Sequence, residues 1–444
     1  MLLYIHIPFC TSKCGYCGFN SLTNMLEFKQ KYLDCLCADL KNELDSWDNL
    51  SLGMRFTRSL PHCVVNRQSV LFPSNEANFV QSHTANTSIA CSNRLDSTNR
   101  TKIAKSKNFP SLVDGNLSAL PLPCGGGLRG WVKSKKFHSI YIGGGTPNTL
   151  NPSDYEQIFR ILEPKIAPHT EITMELNPNV SSIETLNAFK DLGVNRFSIG
   201  VQSFYADKLR LLERNHSPKI ARDFIESALK CGVKTSIDLI YGTILDSPKR
   251  LCFELENALN LGVGHISCYS LSIDKNSAFF RERKNPTRES SLCYELKEFL
   301  DLRGFTQYEV SNFARDKSQK SRHNLGYWAY RDYIGVGLGA VGKITDFDSQ
   351  GGLQVARIYK QGDFGAYLRN PCAIKRESLS PSDIRLEKIF LGFRSEVGVD
   401  SAIITNKERL NLLLQSDKIR AQNGKIYATN YFIADEMVLW VEAT

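Results

Sequence analysis

The chain is predicted to be an α/β protein: a partial (β/α)6 barrel followed by a smaller C-terminal α+β domain of winged-helix-like type. Three observations predict this. Short β-rich runs alternate with helical patterns through the first two-thirds. Helix start and stop signals punctuate that alternation. After about residue 276 the rhythm breaks into helices among shorter, glycine-rich pieces.

The β-rich runs are LLYIHI (2–7), SIYIG (139–143), EITMEL (171–176), RFSIGV (196–201), KTSIDLIYG (234–242) and HISCYSLSI (265–273). Helical patterns lie between them. One starts near Leu26 and runs past Leu44; the others are SDYEQIFRILE, SIETLNAFKDLG, 218–232 and 248–261. Ser153 with Glu156, and Ser181 with Glu184, have the spacing of capping boxes. Gly193 and Gly232 sit where helix C-terminal glycines belong. Such alternation implies a parallel sheet with right-handed crossovers. Six units suit an open or partial barrel over 1–275, with a doubly wound sheet as the alternative. Over 276–444, helices are expected at 287–303 and 383–395, and KIYATNYFIADEMVLW reads as a strand, a turn and a strand.

The stretch 51–132 interrupts the first unit. SNEANFVQSHTANTSIACSNRLDSTNRTKIAKSKN has no sustained period and reads as a loop or disordered insertion. It also explains the charge. Between Ser51 and Lys136 there are 12 Lys or Arg against 3 Asp or Glu, a surplus equal to the whole formal net charge of +9. The remainder is balanced, so no nucleic-acid partner is expected. No apolar run approaches the roughly 20 residues of a membrane span. The opening apolar stretch lacks a basic flank and leads straight into cysteines, unlike a secretory signal. A cytoplasmic protein is expected, with peripheral membrane contact left open.

Thirteen cysteines in such a chain suggest metal or catalysis more than disulfides. Ten are scattered; Cys10, Cys14 and Cys17 stand together after the first strand, where Pro8 ends the ladder. In a parallel barrel the C-terminal strand ends carry the chemistry. Three thiolates can hold three irons of a [4Fe–4S] cubane and leave the fourth open to a small molecule. Structural zinc is the competing reading, but it prefers four ligands, and no second cysteine pair is present. His6 is a conceivable fourth ligand.

Cys10-Thr-Ser-Lys-Cys14-Gly-Tyr-Cys17 resembles the radical S-adenosylmethionine (SAM) signature. YIHIPFC, YIGGGTP, ELNPN, FSIGVQSF, IDLIYG, SNFAR and HNLGYW extend the resemblance over nearly the whole chain outside the insertion. On these motifs the chain resembles the group of oxygen-independent coproporphyrinogen III oxidase and the heme chaperone HemW. The resemblance implies a cluster on the three cysteines and SAM chelated at the open iron. It assigns Gly144, Gly145 and Thr146 to the methionine end of SAM. Glu175 suits the ligand's ammonium, Arg214 its carboxylate, and Gln202 further hydrogen bonds. Asp238 suits ribose hydroxyls, while Tyr4 and Tyr16 suit SAM and its adenine. An electron donor for the cluster is implied.

Two departures point to the HemW-like branch. The oxidase typically has a further cysteine two residues after the third, where this chain has Phe19, and it carries a longer N-terminal region. His323-Asn324-Leu325-Gly326-Tyr327-Trp328 is similar to the H-N-x-x-Y-W motif associated with heme in that branch. Imidazole is a common axial ligand of heme iron, so His323 is the candidate; orienting a turn is the plainer reading of it. The implied function is a chaperone that binds heme and delivers it to apo-hemoproteins. The alternative is a radical SAM decarboxylase converting coproporphyrinogen III to protoporphyrinogen IX. Gly337-Leu-Gly339-Ala-Val-Gly342 matches a dinucleotide fingerprint but lacks the following helix, and reads as a turn.

Overall fold

The computed structural model describes residues 1–51, 135–287, 292–347 and 352–443. The expected insertion over 51–132 lies outside the described residues except for its first position.

Six parallel strands form the frame: β1 (Leu2–Ile7), β2 (Ser139–Gly144), β3 (Glu171–Leu176), β4 (Arg196–Gln202), β5 (Lys234–Tyr241) and β6 (His265–Ser270). The helices between them are α1 (Lys29–Ser51), α2 (Pro152–Leu162), α3 (Ile183–Asp191), α4 (Ala206–Leu211), α5 (Pro218–Lys230) and α6 (Pro248–Asn260). Each strand pairs with its successor in chain order. A doubly wound sheet would reverse direction at a switch point. This one adds every strand to the same side, as a barrel does, and stays open because β1 and β6 do not pair.

The sheet does not stop at residue 276. After α7 (Leu292–Asp301), β7 (Thr306–Gln307) and β8 (Asn312–Ala314) continue it antiparallel beyond β6. Following α8 (Arg322–Trp328), β9 (Tyr333–Val336) pairs parallel with the free edge of β1. The meander β10 (Val341–Phe347), β11 (Leu353–Lys360) and β12 (Ile374–Leu379) extends from it, with α9 (Phe364–Arg369) packed on α1. The G-x-G-x-x-G stretch is the turn from β9 to β10, where Gly337 and Gly339 take φ of 102° and 67°. Finally α10 (Pro381–Phe393), β13 (Val399–Asp400), α11 (Lys407–Gln415), β14 (Ile419–Gln422), β15 (Lys425–Ala428) and α12 (Ala434–Glu442) enclose a small separate core.

Several local expectations are corrected. The α2 cap is Asn151, whose N–H donates to Asp154 at 2.8 Å, not Ser153 with Glu156. Pro152 suits the first helical position and moves the start upstream. The α3 cap is Ser182, one residue after Ser181; its Oγ accepts from Thr185 N–H. The expected last strand is the helix α12. Ala434, Met437, Val438 and Val441 are buried at helical spacing, a period the strand reading overlooked. Gly193 and Gly232 do end helices, at φ of 109° and 71°.

Strand parity decides what each face carries. Ile140 and Ile142, Ile172 and Met174, Phe197 and Ile199, and Ile237 and Leu239 are buried in the large core under the helices. The alternate positions (Tyr141, Thr173, Glu175, Ser198, Asp238, Tyr269) point the other way, into the concave side. Parallel sheets covered on both faces read as continuous apolar runs. Here one series is polar because it lines cavities.

Candidate functional site

The three cysteines occupy the loop after β1, at the C-terminal ends of the strands. A short parallel pairing of Phe9–Cys10 with Leu22–Thr23 ties the loop back on itself. The turn after β2 is bonded to its start: Gly145 N–H donates to the Ile7 carbonyl and Thr146 N–H to that of Phe9, both at 2.7 Å. A Cβ on Gly145 would stand 2.7 Å from the Pro8 and Phe9 carbonyl oxygens. One on Gly144, at φ 111°, would meet the His6 ring. The glycines therefore permit close approach of the chain to itself, which seats the cysteine loop on the glycine turn.

Cys10, Cys14 and Cys17 line a cavity of about 250 Å³ together with Tyr16, Gly144, Gly145, Thr146, Glu175, Gln202, Arg214 and Asp238. Eleven of the thirteen predicted site positions thus line this cavity; the other two, Tyr4 and His323, line a neighbouring one. Thr146 Oγ1 donates to Cys10 Sγ at 3.4 Å. Arg214 reaches from the segment after α4; its Nη1 donates to Cys14 Sγ at 3.2 Å and its Nη2 to the Gly200 carbonyl at 2.9 Å. Its Nε is buried without a partner. A Cβ on Gly200 would stand 2.9 Å from the Gln202 amide and 3.5 Å from Arg214. Gln202 itself holds φ of 64°, which turns the chain at the strand end.

Glu175 is held on both oxygens. Oε1 accepts from the Tyr141 hydroxyl at 2.7 Å and Oε2 from Gly144 N–H at 3.1 Å. Burial raises its pKa against those two hydrogen bonds. Asp238 faces Ser198, and burial pushes it up to about 7. Burial also raises Cys10, and raises Cys17 to about 11. Thiols so placed ionise readily only against a cation such as a ligated metal. Among the described residues no three His, Cys, Asp or Glu side chains are gathered for a single metal ion. His6 is no zinc ligand: Nε2 donates to the Asn20 carbonyl, and Nδ1 accepts from the Tyr4 hydroxyl, both at 2.9 Å. Three half-buried thiols around a cavity, with an unpaired guanidinium nitrogen beside them, fit a multi-atom cluster and an anionic group next to it.

The second cavity, about 160 Å³, is mainly apolar and runs along the concave side beneath the first. Tyr4, His323, Tyr327, Trp328 and Tyr333 line it. Phe19, Tyr141, Gly144 and Glu175 line both cavities and form the wall between them. His323 comes from α8, which plugs the N-terminal end of the barrel: the Arg322 and His323 N–H groups donate to Glu171 Oε1 at 2.8 and 3.0 Å. Its Nδ1 is hydrogen-bonded to Ser139 Oγ at 2.9 Å, and its ring centroid lies 5.0 Å from that of Tyr141. Burial lowers its pKa to about 3, leaving it neutral. Trp328 Nε1 is buried and unpartnered.

Tyr141, Ser198 and Tyr269 also line the thiol cavity and were not singled out from the sequence. Strand parity was the available signal. Tyr141 stands in register with Thr173, two residues before Glu175, and Ser198 with Glu175 itself, so both share a face with a predicted site residue.

Residues 130–249 match the model of the Radical SAM superfamily. The chain is 28% identical over 434 residues to the heme chaperone HemW of Buchnera aphidicola subsp. Schizaphis graminum, spanning 96% of this chain and 92% of the relative. It is 31% identical over 280 residues to the heme chaperone HemW of Bacillus subtilis (strain 168), spanning 61% of this chain and 73% of the relative. The fold is similar to that of Escherichia coli coproporphyrinogen III oxidase (HemN), a radical SAM enzyme, with a TM-score of 0.66 at 18% identity, over 100% of this chain and 90% of that one.

Proposed function

The chain belongs to the HemW family of the radical SAM superfamily, and on that premise we propose that it is a heme chaperone, binding heme and delivering it to apo-hemoproteins. Cys10, Cys14 and Cys17 would hold a [4Fe–4S] cluster, which when bound supplies an open iron for SAM and, from an external donor, an electron for its cleavage. Around that position Glu175 would receive the SAM ammonium and Arg214 its carboxylate, the charges being opposite in each case. Gln202 and Asp238 would bind the remaining polar groups, and Gly144, Gly145 and Thr146 would bound the methionine end. Tyr16 would pack against the nucleoside.

The observation that carries the heme reading is the second cavity: an apolar, aromatic-lined space with a neutral imidazole at its wall, separated from the thiol cavity by single side chains. A neutral imidazole is the form that ligates iron. Tyr4, Tyr327 and Trp328 would pack on the macrocycle. All ten described cysteines are free, which suits a reducing cytoplasm. No described helix is long and apolar enough to cross a membrane.

The test is an anaerobic titration of cluster-reconstituted protein with heme. A stoichiometric Soret band is expected, shifted or weakened in His323→Ala. Absence of the band at one equivalent of heme would sink the reading. Formation of protoporphyrinogen IX from coproporphyrinogen III under reducing conditions, absent in Cys10→Ala, would favour the decarboxylase instead.

A further inference from the structure

The second cavity is electrostatically polar along its length. Its upper end is at Gly144, opposite Ile7, and Glu175, at the C-terminal ends of β2 and β3. Its lower end is at Arg331, two residues before Tyr333, which pairs with Leu2 at the start of β1. Three cations line the cavity. Lys343 is committed to Asp332 at 2.7 Å, and Arg357 to Glu387. Arg331 is exposed and has no ion-pair partner among the described residues.

The surroundings of Arg331 are cationic. The Met1 α-amino group stands near it, Arg322 acts with it on His138, and the adjacent Asp332 is engaged by Lys343 and Thr345. The effect is visible on His138, which burial first, then Arg322, Arg331 and the amino terminus, lower to about 4. Such a field favours an anion. At the opposite end Glu175 disfavours one.

We infer that this cavity takes a macrocycle whose carboxylates are held by Arg331 at the N-terminal end of the barrel, with the apolar edge directed at the wall shared with the thiol cavity. The inference rests on the heme reading and adds to it an orientation and a recognition residue. A guanidinium forks onto a carboxylate, so one side chain can select for a free acid over its ester. The apolar edge would then be the part that faces the SAM position, and the carboxylates the part that faces solvent.

The test compares heme with heme dimethyl ester, binding each to cluster-reconstituted wild type, Arg331→Gln and Arg331→Lys. Wild type is expected to bind the free acid about tenfold tighter than the ester. Arg331→Gln is expected to bind the two alike, with the ester affinity unchanged, and Arg331→Lys to recover part of the preference. Because Arg331 is exposed, the variants leave the core intact, and an unchanged ester affinity verifies this. Full preference retained in Arg331→Gln, or no preference in wild type, overturns the assignment of Arg331 while leaving heme binding in place. Failure of wild type to bind either compound overturns both the orientation and the heme reading.

Discussion

The Tyr141 hydroxyl donates to Glu175 at 2.7 Å while the same ring packs 5.0 Å, centroid to centroid, from His323. One side chain therefore touches the acid proposed to receive the SAM ammonium and the imidazole proposed to ligate heme. Tyr141→Phe keeps the ring and removes the hydrogen bond. SAM affinity is expected to fall about tenfold or more, the order of one lost bond to a charged group. Heme affinity in the absence of SAM should stay within about twofold. Anaerobic calorimetry measures both. An unchanged SAM affinity would show that the hydroxyl does not support Glu175.

Gly145 tests the seating of the cysteine loop. In Gly145→Ala the new methyl group stands 2.7 Å from two backbone oxygens. Backbone cannot yield as a flexible side chain can, so the loop must move off the glycine turn. Loss of cluster iron, with far-ultraviolet circular dichroism retained, is the expected result. Iron content equal to wild type would contradict it.

Cys14→Ala removes one of three ligands and the acceptor of the Arg214 hydrogen bond. The absorption near ~400 nm expected of the cluster should disappear. Retention of four irons per chain would count against the assignment.

Asp238 gives a pH signature. Its pKa rises from 3.8 in the unfolded chain to about 7 in the fold, because burial disfavours the carboxylate. The folded form thus holds the proton more tightly, and the stabilisation from this group is present below the unfolded value and lost as pH rises through about 7. Asp238→Asn mimics the protonated form. The difference in melting temperature, variant minus wild type, should grow from about pH 4 to about pH 7 and level off above it. A difference independent of pH would refute the titration.

Lys208 has no exposed surface and pairs with Asp246 at 2.6 Å and Glu254 at 2.8 Å. Glu254 also accepts from the Ser203 hydroxyl and from Phe204 N–H, in the segment directly after Gln202. Lys208→Met leaves two buried carboxylates without their cation and should cost about 3–5 kcal/mol in chemical denaturation. Lys208→Arg is expected to lose less, since the charge remains. A loss below about 1 kcal/mol for Lys208→Met would mean that the carboxylates take up protons or water instead.

The barrel strands, the cysteine loop and most of the thiol cavity were legible in the linear chain, because they depend on local signals. Alternation of polar and apolar residues marks a strand with two unlike faces, and three thiols within eight residues need only one loop to meet. The seating of Gly145 on Pro8 and Phe9 was not legible, since it joins segments separated by the whole first unit. Nor was the place of β9, whose four residues are too short to announce that they pair with β1. Tyr4 shares a motif with the cysteines yet lines the other cavity, because a strand six residues long reaches both ends of the barrel. What the sequence by itself determined was where the strands run and which residues are the candidates for the chemistry. Only the tertiary structure decided that His323 stands one ring away from the wall of the thiol cavity. That proximity follows from α8 docking its N–H groups on Glu171, a contact between residues more than a hundred positions apart, which no local period encodes.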